Sequence, residues 1–263
     1  MSLLLDTVTL FCYVLSTLGH WLFLASRKHV LFLGALGAAC VGFVIHTADL
    51  GMEAFRVGPL LFSGLPAAAR FFSWTVVLVY LIADGFTHIR ALGSFLVPMG
   101  LVALLLGLAL PLDASRLLPP LTSFWLIIHV ALALMGIAAL TLTFCGGLMY
   151  LIQDRHLKAK QPGGFSAHLP SLEALDRLNF WALSFGFPLL TQGLVTGAIR
   201  AKYARGSFWI WEWTTWPLIA MWGIYTLLLI GRWQLGWRGR RAAYAVVGSF
   251  CAVSIGYLMH TLG

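Results

Sequence analysis

Three histidines stand inside apolar stretches of this chain, and four tryptophans crowd into eight residues near its end. His46 falls late in one stretch, His129 early in another and His260 at the end of the last. Neutral imidazole ligates iron well in a low-dielectric setting, and haem iron takes two axial ligands when it holds or passes electrons. The run Trp209-Ile210-Trp211-Glu212-Trp213-Thr214-Thr215-Trp216 offers a dense aromatic surface on which a porphyrin could stack. Arg200, Lys202 and Arg205 come just before it, and guanidinium groups clamp carboxylates such as haem propionates. The residue types therefore point to haem.

Each of these features also has a plainer use. A histidine within a membrane span can hydrogen-bond to a neighbouring helix, and basic residues can anchor lipid headgroups. Tryptophans belt membrane interfaces, and Trp21, Trp181, Trp233 and Trp237 fit that use. The run at 209–216 exceeds what anchoring requires. As a helix it would put Trp209, Trp213 and Trp216 on one face with Glu212, at spacings of four and seven, while Trp211 points elsewhere. His129 lies roughly 9 Å along a helix from Ser123, and His46 and His260 sit at similar depth, so all three could meet in one layer. His20 reads as a helix contact or a second-site ligand; His29, His88, His156 and His168 lie in or beside inner connections and are assigned no chemistry.

The elements that must position these groups follow from composition. Apolar residues make up 60% of the chain and charged residues 10%, with a mean hydropathy of +0.89; ordinary soluble domains carry about 25% charge. The reading is all-α: a polytopic membrane bundle of about eight helices, over 3–25, 30–48, 70–86, 91–111, 123–152, 179–199, 217–231 and 242–261, with the third and seventh short. The first stretch lacks a basic leader and a small-residue cleavage site, so it reads as a retained span. Residues 1–263 are expected to form one integral membrane domain, with the tryptophan-rich segment 207–216 on the outside.

Basic residues set the orientation. Arg27, Lys28, Arg90, Arg155, Lys158 and Lys160, with Arg177, Arg232, Arg238, Arg240 and Arg241, fall on one set of connections. Arg56, Arg70, Arg116, Arg200, Lys202 and Arg205 fall on the other. Eleven against six places both termini and the tryptophan segment outside, facing the periplasmic or equivalent side of a plasma (inner) membrane. The net charge of +8 is thus mostly positive-inside bias, and nucleic acid is excluded as a partner because no basic soluble domain presents that charge. The connection at 154–178 reads as a solvated inner link carrying a short interfacial helix that starts at Pro170-Ser171, and that at 49–69 as an apolar outer loop. No nucleotide-binding, zinc-hydrolase or serine-hydrolase motif is present, and the paired intramembrane charges expected of an ion-coupled transporter are not evident. Cys12, Cys40, Cys145 and Cys251 lie in separate spans without a C-x-x-C and read as buried apolar packing.

Several blocks from about residue 40 onward resemble the cytochrome c assembly proteins of the CcsA/CcmC/HemX type. His46-Thr47 followed by Arg56, Phe71-Phe72-Ser73-Trp74 and His88-Ile89-Arg90-Ala91-Leu92-Gly93 are similar to that family's second to fourth spans. Ser123-Phe124-Trp125-Leu126-Ile127-Ile128-His129-Val130 resembles the block with the external histidine, and Leu172-Glu173-Ala174-Leu175-Asp176-Arg177-Leu178-Asn179 with Gly186-Phe187-Pro188 the approach to the sixth span. Gly206-Ser207-Phe208-Trp209-Ile210-Trp211-Glu212 and Gly236-Trp237-Arg238-Gly239-Arg240-Arg241 complete the likeness.

The resemblance implies b-type haem (iron protoporphyrin IX) bound at the outer face between histidines that flank the tryptophan segment, and presented to the Cys pair of an apocytochrome c or passed to a carrier. His129 matches the histidine before the segment, and His260 is the candidate for the one after it; His46 is the alternate or second-site ligand. Membrane lipid and apocytochrome c, or another membrane subunit of a haem or redox complex, are the implied partners, and a place in a haem lyase system is the implied enzymology. The chain departs from the family's W-x-W-D-x-K-E-T-W signature at Glu212, Thr214 and Thr215, and has Leu228-Leu229-Ile230 where a histidine is usual. These departures keep open a b-haem electron-transfer subunit and a HemX-like regulator of haem synthesis.

Overall fold

The computed structural model describes residues 2–57, 64–110, 124–160, 169–206 and 215–262. Among them it contains eight helices and no strand: α1 (Ser2–Ser26), α2 (His29–Val57), α3 (Gly64–Thr87), α4 (Gly93–Ala109), α5 (Phe124–Lys158), α6 (Leu172–Arg205), α7 (Thr215–Gln234) and α8 (Arg240–Leu262). Five described helices, α1, α2, α3, α5 and α6, are long and apolar enough to cross a membrane, and α4 is a shorter apolar helix. The protein is a multi-pass helical membrane bundle. Helix is the form this composition must take in lipid, because every backbone polar group then finds its partner within its own segment.

Several helices run past their expected ends, for identifiable reasons. Helix α2 continues to Val57 instead of stopping at residue 48, and Asp49 and Glu53, which lie beyond that expected end, are paired with Arg70. Helix α3 starts at Gly64, with Pro66 and Ala67-Ala68-Ala69 in its first turns, so the expected outer loop at 49–69 is helical over its described parts. Ser171 does cap a helix, its hydroxyl accepting from the Ala174 amide at 3.3 Å. Nothing after it breaks the turn, so the expected short interfacial helix is simply the first part of the 34-residue α6. Pro98 and Pro188 sit inside α4 and α6 without ending them.

The chain divides into two compact units, residues 1–130 and 131–263, with the division falling within α5. In the first unit, α1 packs on α2 through small residues. A Cβ on Gly19 would lie 2.8 Å from that of Ala35, and one on Gly42 would lie 2.8 Å from the ring of Tyr13. Tyr13, Val77 and Leu104 form a buried cluster joining α1, α3 and α4. The indole of Trp21 is half exposed and donates to the Ser94 carbonyl at 3.0 Å, so it ties α1 to α4 as well as facing outward.

The second unit is built on Leu140, Leu183, Leu190, Met221, Tyr225 and Leu228, contributed by α5, α6 and α7, with Val246 from α8. Its polar staple is Asp176. Arg232 donates to that carboxylate at 2.6 Å and the Gly239 amide does so at 3.0 Å, which fixes the α7–α8 turn to α6. None of the four cysteines forms a disulfide, and while Cys12 and Cys145 are buried as expected, Cys40 and Cys251 are exposed on their helices. In a membrane span such a surface faces lipid as readily as protein, so burial does not follow from apolarity there.

Candidate functional site

Helix α2 carries His46, Asp49 and Glu53 at spacings of three and seven, which puts them on one face. That face meets Arg70 of α3. The guanidinium donates to Glu53 at 2.7 Å and to Asp6 of α1 at 3.0 Å, and also pairs closely with Asp49. One cation thus gathers three carboxylates from two helices. Charged groups within spans occur where they pair or serve a polar route.

The His46 ring is fully enclosed, at 1% exposure. Its Nδ1 lies 3.2 Å from the Tyr13 hydroxyl, and its Nε2 has no hydrogen-bond partner among the described residues. This is the pattern of a ligating histidine held by one nitrogen from behind, with the other left available. Because the ring is enclosed, an iron would reach Nε2 only after neighbouring side chains moved apart.

His20 is different, since both of its nitrogens are engaged. Nδ1 lies 2.8 Å from the Ser16 carbonyl and Nε2 2.8 Å from the Tyr80 hydroxyl. A Cβ on Gly93 would collide with this ring, so α4 approaches His20 as closely as only glycine permits. His20 is a helix contact between α1 and α3.

His129 is half-buried on the second turn of α5, within the first unit. His260 lies near the end of α8 in the second unit, and its side chain is outside the described residues. The described contacts bring His46 to Tyr13; the expected His129–His260 pair rests on the sequence. Arg200, Lys202 and Arg205 occupy the last two turns of α6 and are not in a loop. Gly206 closes that helix in the left-handed conformation, its amide donating to the Lys202 carbonyl at 2.8 Å. Trp216 is the second residue of α7 and is exposed. Trp209, Trp211 and Trp213, with Glu212, lie outside the described residues. The cationic end of α6 and the start of α7 therefore flank the tryptophan-rich segment in sequence.

Sequence alone does not pair Tyr13 with His46, Tyr80 with His20, or Arg70 with its three carboxylates; Arg70 enters it only as one of the outer charges. The spacing of His46, Asp49 and Glu53 was the available signal, because a helical stripe of ionisable residues in an apolar stretch needs a partner. Among the described residues no group of three or more His, Cys, Asp or Glu is arranged to hold a metal ion.

Comparison with known proteins bears on these helices directly. Residues 62–263, from α3 onward, match the family described as Cytochrome C assembly protein. The chain is 29% identical to the cytochrome c biogenesis protein CcsA of Guillardia theta, over 96% of this chain and 91% of that protein. It is 27% identical to the protein of that name from Synechocystis sp. (97% and 92%) and 30% identical to that of Porphyra purpurea (84% and 82%). With the matched stretch running through six of the eight described helices, this chain belongs to the cytochrome c assembly protein family.

Proposed function

We propose that this protein binds b-type haem noncovalently at the outer face of the membrane, through His129 and His260, and presents it for attachment to an apocytochrome c. The observation that carries the reading is the tryptophan-rich segment, which in sequence joins the cationic last turns of α6 to the exposed Trp216 of α7, within the stretch that matches the assembly family. Indoles at 209, 211, 213 and 216 would cover the porphyrin face, and Arg200 and Arg205 would pair with the propionates. The bound group would supply an iron-centred redox couple and vinyl groups for thiol addition. The chain's own work is to hold the ring, neutralise its acid groups and limit water at its face.

His46 fits as an alternate or second-site ligand by the chemistry of its orphaned Nε2. The reading takes the whole chain as one integral haem-handling domain in a plasma (inner) membrane, with both termini outside, as the positive-inside bias indicates. The test is the reduced-minus-oxidised spectrum of the purified protein beside His129→Ala and His260→Ala. Loss of the bis-imidazole bands in either variant fixes the ligands, and unchanged bands in both reject the pair. Transfer of the haem to a C-x-x-C-H peptide supports assembly, whereas haem that stays bound through reversible reduction supports electron transfer.

A further inference from the structure

Two connections far apart in sequence meet at one end of the first unit. At the α1–α2 connection stand Arg27, Lys28 and His29, and at the α3–α4 connection His88 and Arg90, all with exposed side chains. Hydrogen bonds between α1 and α4 hold the two together: Trp21 donates to the Ser94 carbonyl at 3.0 Å, and the Ser94 hydroxyl donates to the His20 carbonyl at 3.1 Å. Phe32 of α2 is buried beside both. The Arg90 guanidinium sits over its ring, 5.5 Å from the centroid, and the His29 ring stacks on it at 5.9 Å. One buried ring thus carries a group from each connection.

The charge at this end is unbalanced. Among the described residues of the unit the carboxylates are Asp6, Asp49, Glu53 and Asp84; the first three gather on Arg70 at the opposite end, and Asp84 is buried. Arg27, Lys28 and Arg90 therefore stand against one buried carboxylate. Arg27 and His88 each follow the last turn of a helix at positive φ, 61° and 53°, with their amides donating to the Phe23 and Asp84 carbonyls at 2.9 Å. Glycine suits that position best, because a Cβ is strained there. The helix dipole favours positive charge at such C-terminal ends, but disfavours Lys28 and Arg90, which stand beside the N-terminal ends of α2 and α4. Positive-inside bias accounts for basic residues in a connection. It does not require two connections to bring them to one ring.

We propose that this end of the first unit seats the phosphate headgroup of an anionic phospholipid, of the class of phosphatidylglycerol and cardiolipin. Arg27, Lys28 and Arg90 supply the charge and the donors, since guanidinium and ammonium groups both bind phosphate oxygens through charge-assisted hydrogen bonds. The contact with Phe32 fixes Arg90 without neutralising it. The lipid chains also have a surface to lie on, because Trp21, Leu22, Val30 and Phe86 flank the cations and are each more than half exposed. Trp21 lies roughly 9 Å along α1 from Arg27, where an indole meets the boundary between headgroups and chains. In the orientation proposed above this seat faces the inner leaflet, whose anionic lipids attract such cations. The seat itself requires neither that orientation nor haem.

Native mass spectrometry of the full-length protein tests this, with titration in detergent by dioleoyl phosphatidylglycerol or by zwitterionic dioleoyl phosphatidylcholine. The wild type is expected to hold phosphatidylglycerol about tenfold more tightly. Arg27→Gln, Lys28→Gln and Arg90→Gln are each expected to weaken that binding about fivefold, and the triple variant to retain about one phosphatidylglycerol fewer per chain. Arg90→Lys keeps the charge and is expected to keep most of the affinity, while Arg56→Gln, exposed at the opposite end, is expected to change nothing. Far-UV circular dichroism and the elution volume in detergent establish folding, and the single variants replace a triple variant that fails them. Equal binding of the two lipids by the wild type overturns the proposal, as does undiminished phosphatidylglycerol retention in the folded triple variant or, in its place, in folded Arg90→Gln. Displacement of the lipid by an equal concentration of inorganic phosphate overturns it too, because the free ion would then be the occupant.

Discussion

The Tyr13 hydroxyl and His46 Nδ1 meet 3.2 Å apart across the α1–α2 contact, with both residues fully enclosed. Gly42 makes this possible, since a side chain there would strike the tyrosine ring. Tyr13→Phe keeps the ring and strands a buried nitrogen, so it is expected to destabilise by about 1–2 kcal/mol. In a double-mutant cycle with His46→Leu, read by thermal unfolding in detergent, the two losses are expected to be less than additive. Strict additivity would mean that the contact contributes nothing.

Gly93 is expected to be intolerant of even one added methyl. Its Cβ would occupy the place of the His20 ring, which is pinned on both nitrogens. Gly93→Ala should cost about 1–3 kcal/mol through overpacking. Combining it with His20→Ala should recover part of that loss, and a double variant worse than either single one would show that the clash lies elsewhere.

Two ion pairs of the second unit should behave oppositely. Arg232–Asp176 is largely buried, at 9% and 19% side-chain exposure, whereas Arg177–Glu173 is open to solvent at 63% and 79%. Arg232→Leu takes the cation from a largely buried carboxylate and leaves it only the Gly239 amide, an expected loss of about 3–5 kcal/mol. Arg177→Leu should leave the unfolding midpoint within error, because exposed pairs contribute little. Equal effects would contradict the burial argument.

Haem retention should depend on the cations at the end of α6. Arg200→Gln and Arg205→Gln are each expected to weaken haem binding by about tenfold, the loss of one charge-assisted contact of about 1.4 kcal/mol. Titration of the apoprotein with haem followed at the Soret band measures this. Lipid anchoring as the sole role of these residues would leave the affinity unchanged and instead alter membrane insertion.

Composition together with the long unbroken apolar stretches determined that this chain is a helical membrane bundle, because runs of that length satisfy their backbone in lipid within a single helix. The motifs at His129, Leu172–Asn179 and the tryptophan run pointed to the family that the comparison then matched from residue 62. Helix ends were less legible. The span around His46 is expected to end at residue 48, just before Asp49 and Glu53, and Arg70, arriving from α3, pairs both within a longer α2. The tertiary structure also decided what the histidines touch. Spacing along one helix shows which residues share a face, but not which side chain of another helix fills the space opposite. Tyr13 for His46 and Tyr80 for His20 follow from how closely glycine and alanine let α1, α2 and α4 approach one another, and that distance is a property of packed surfaces that no single segment carries.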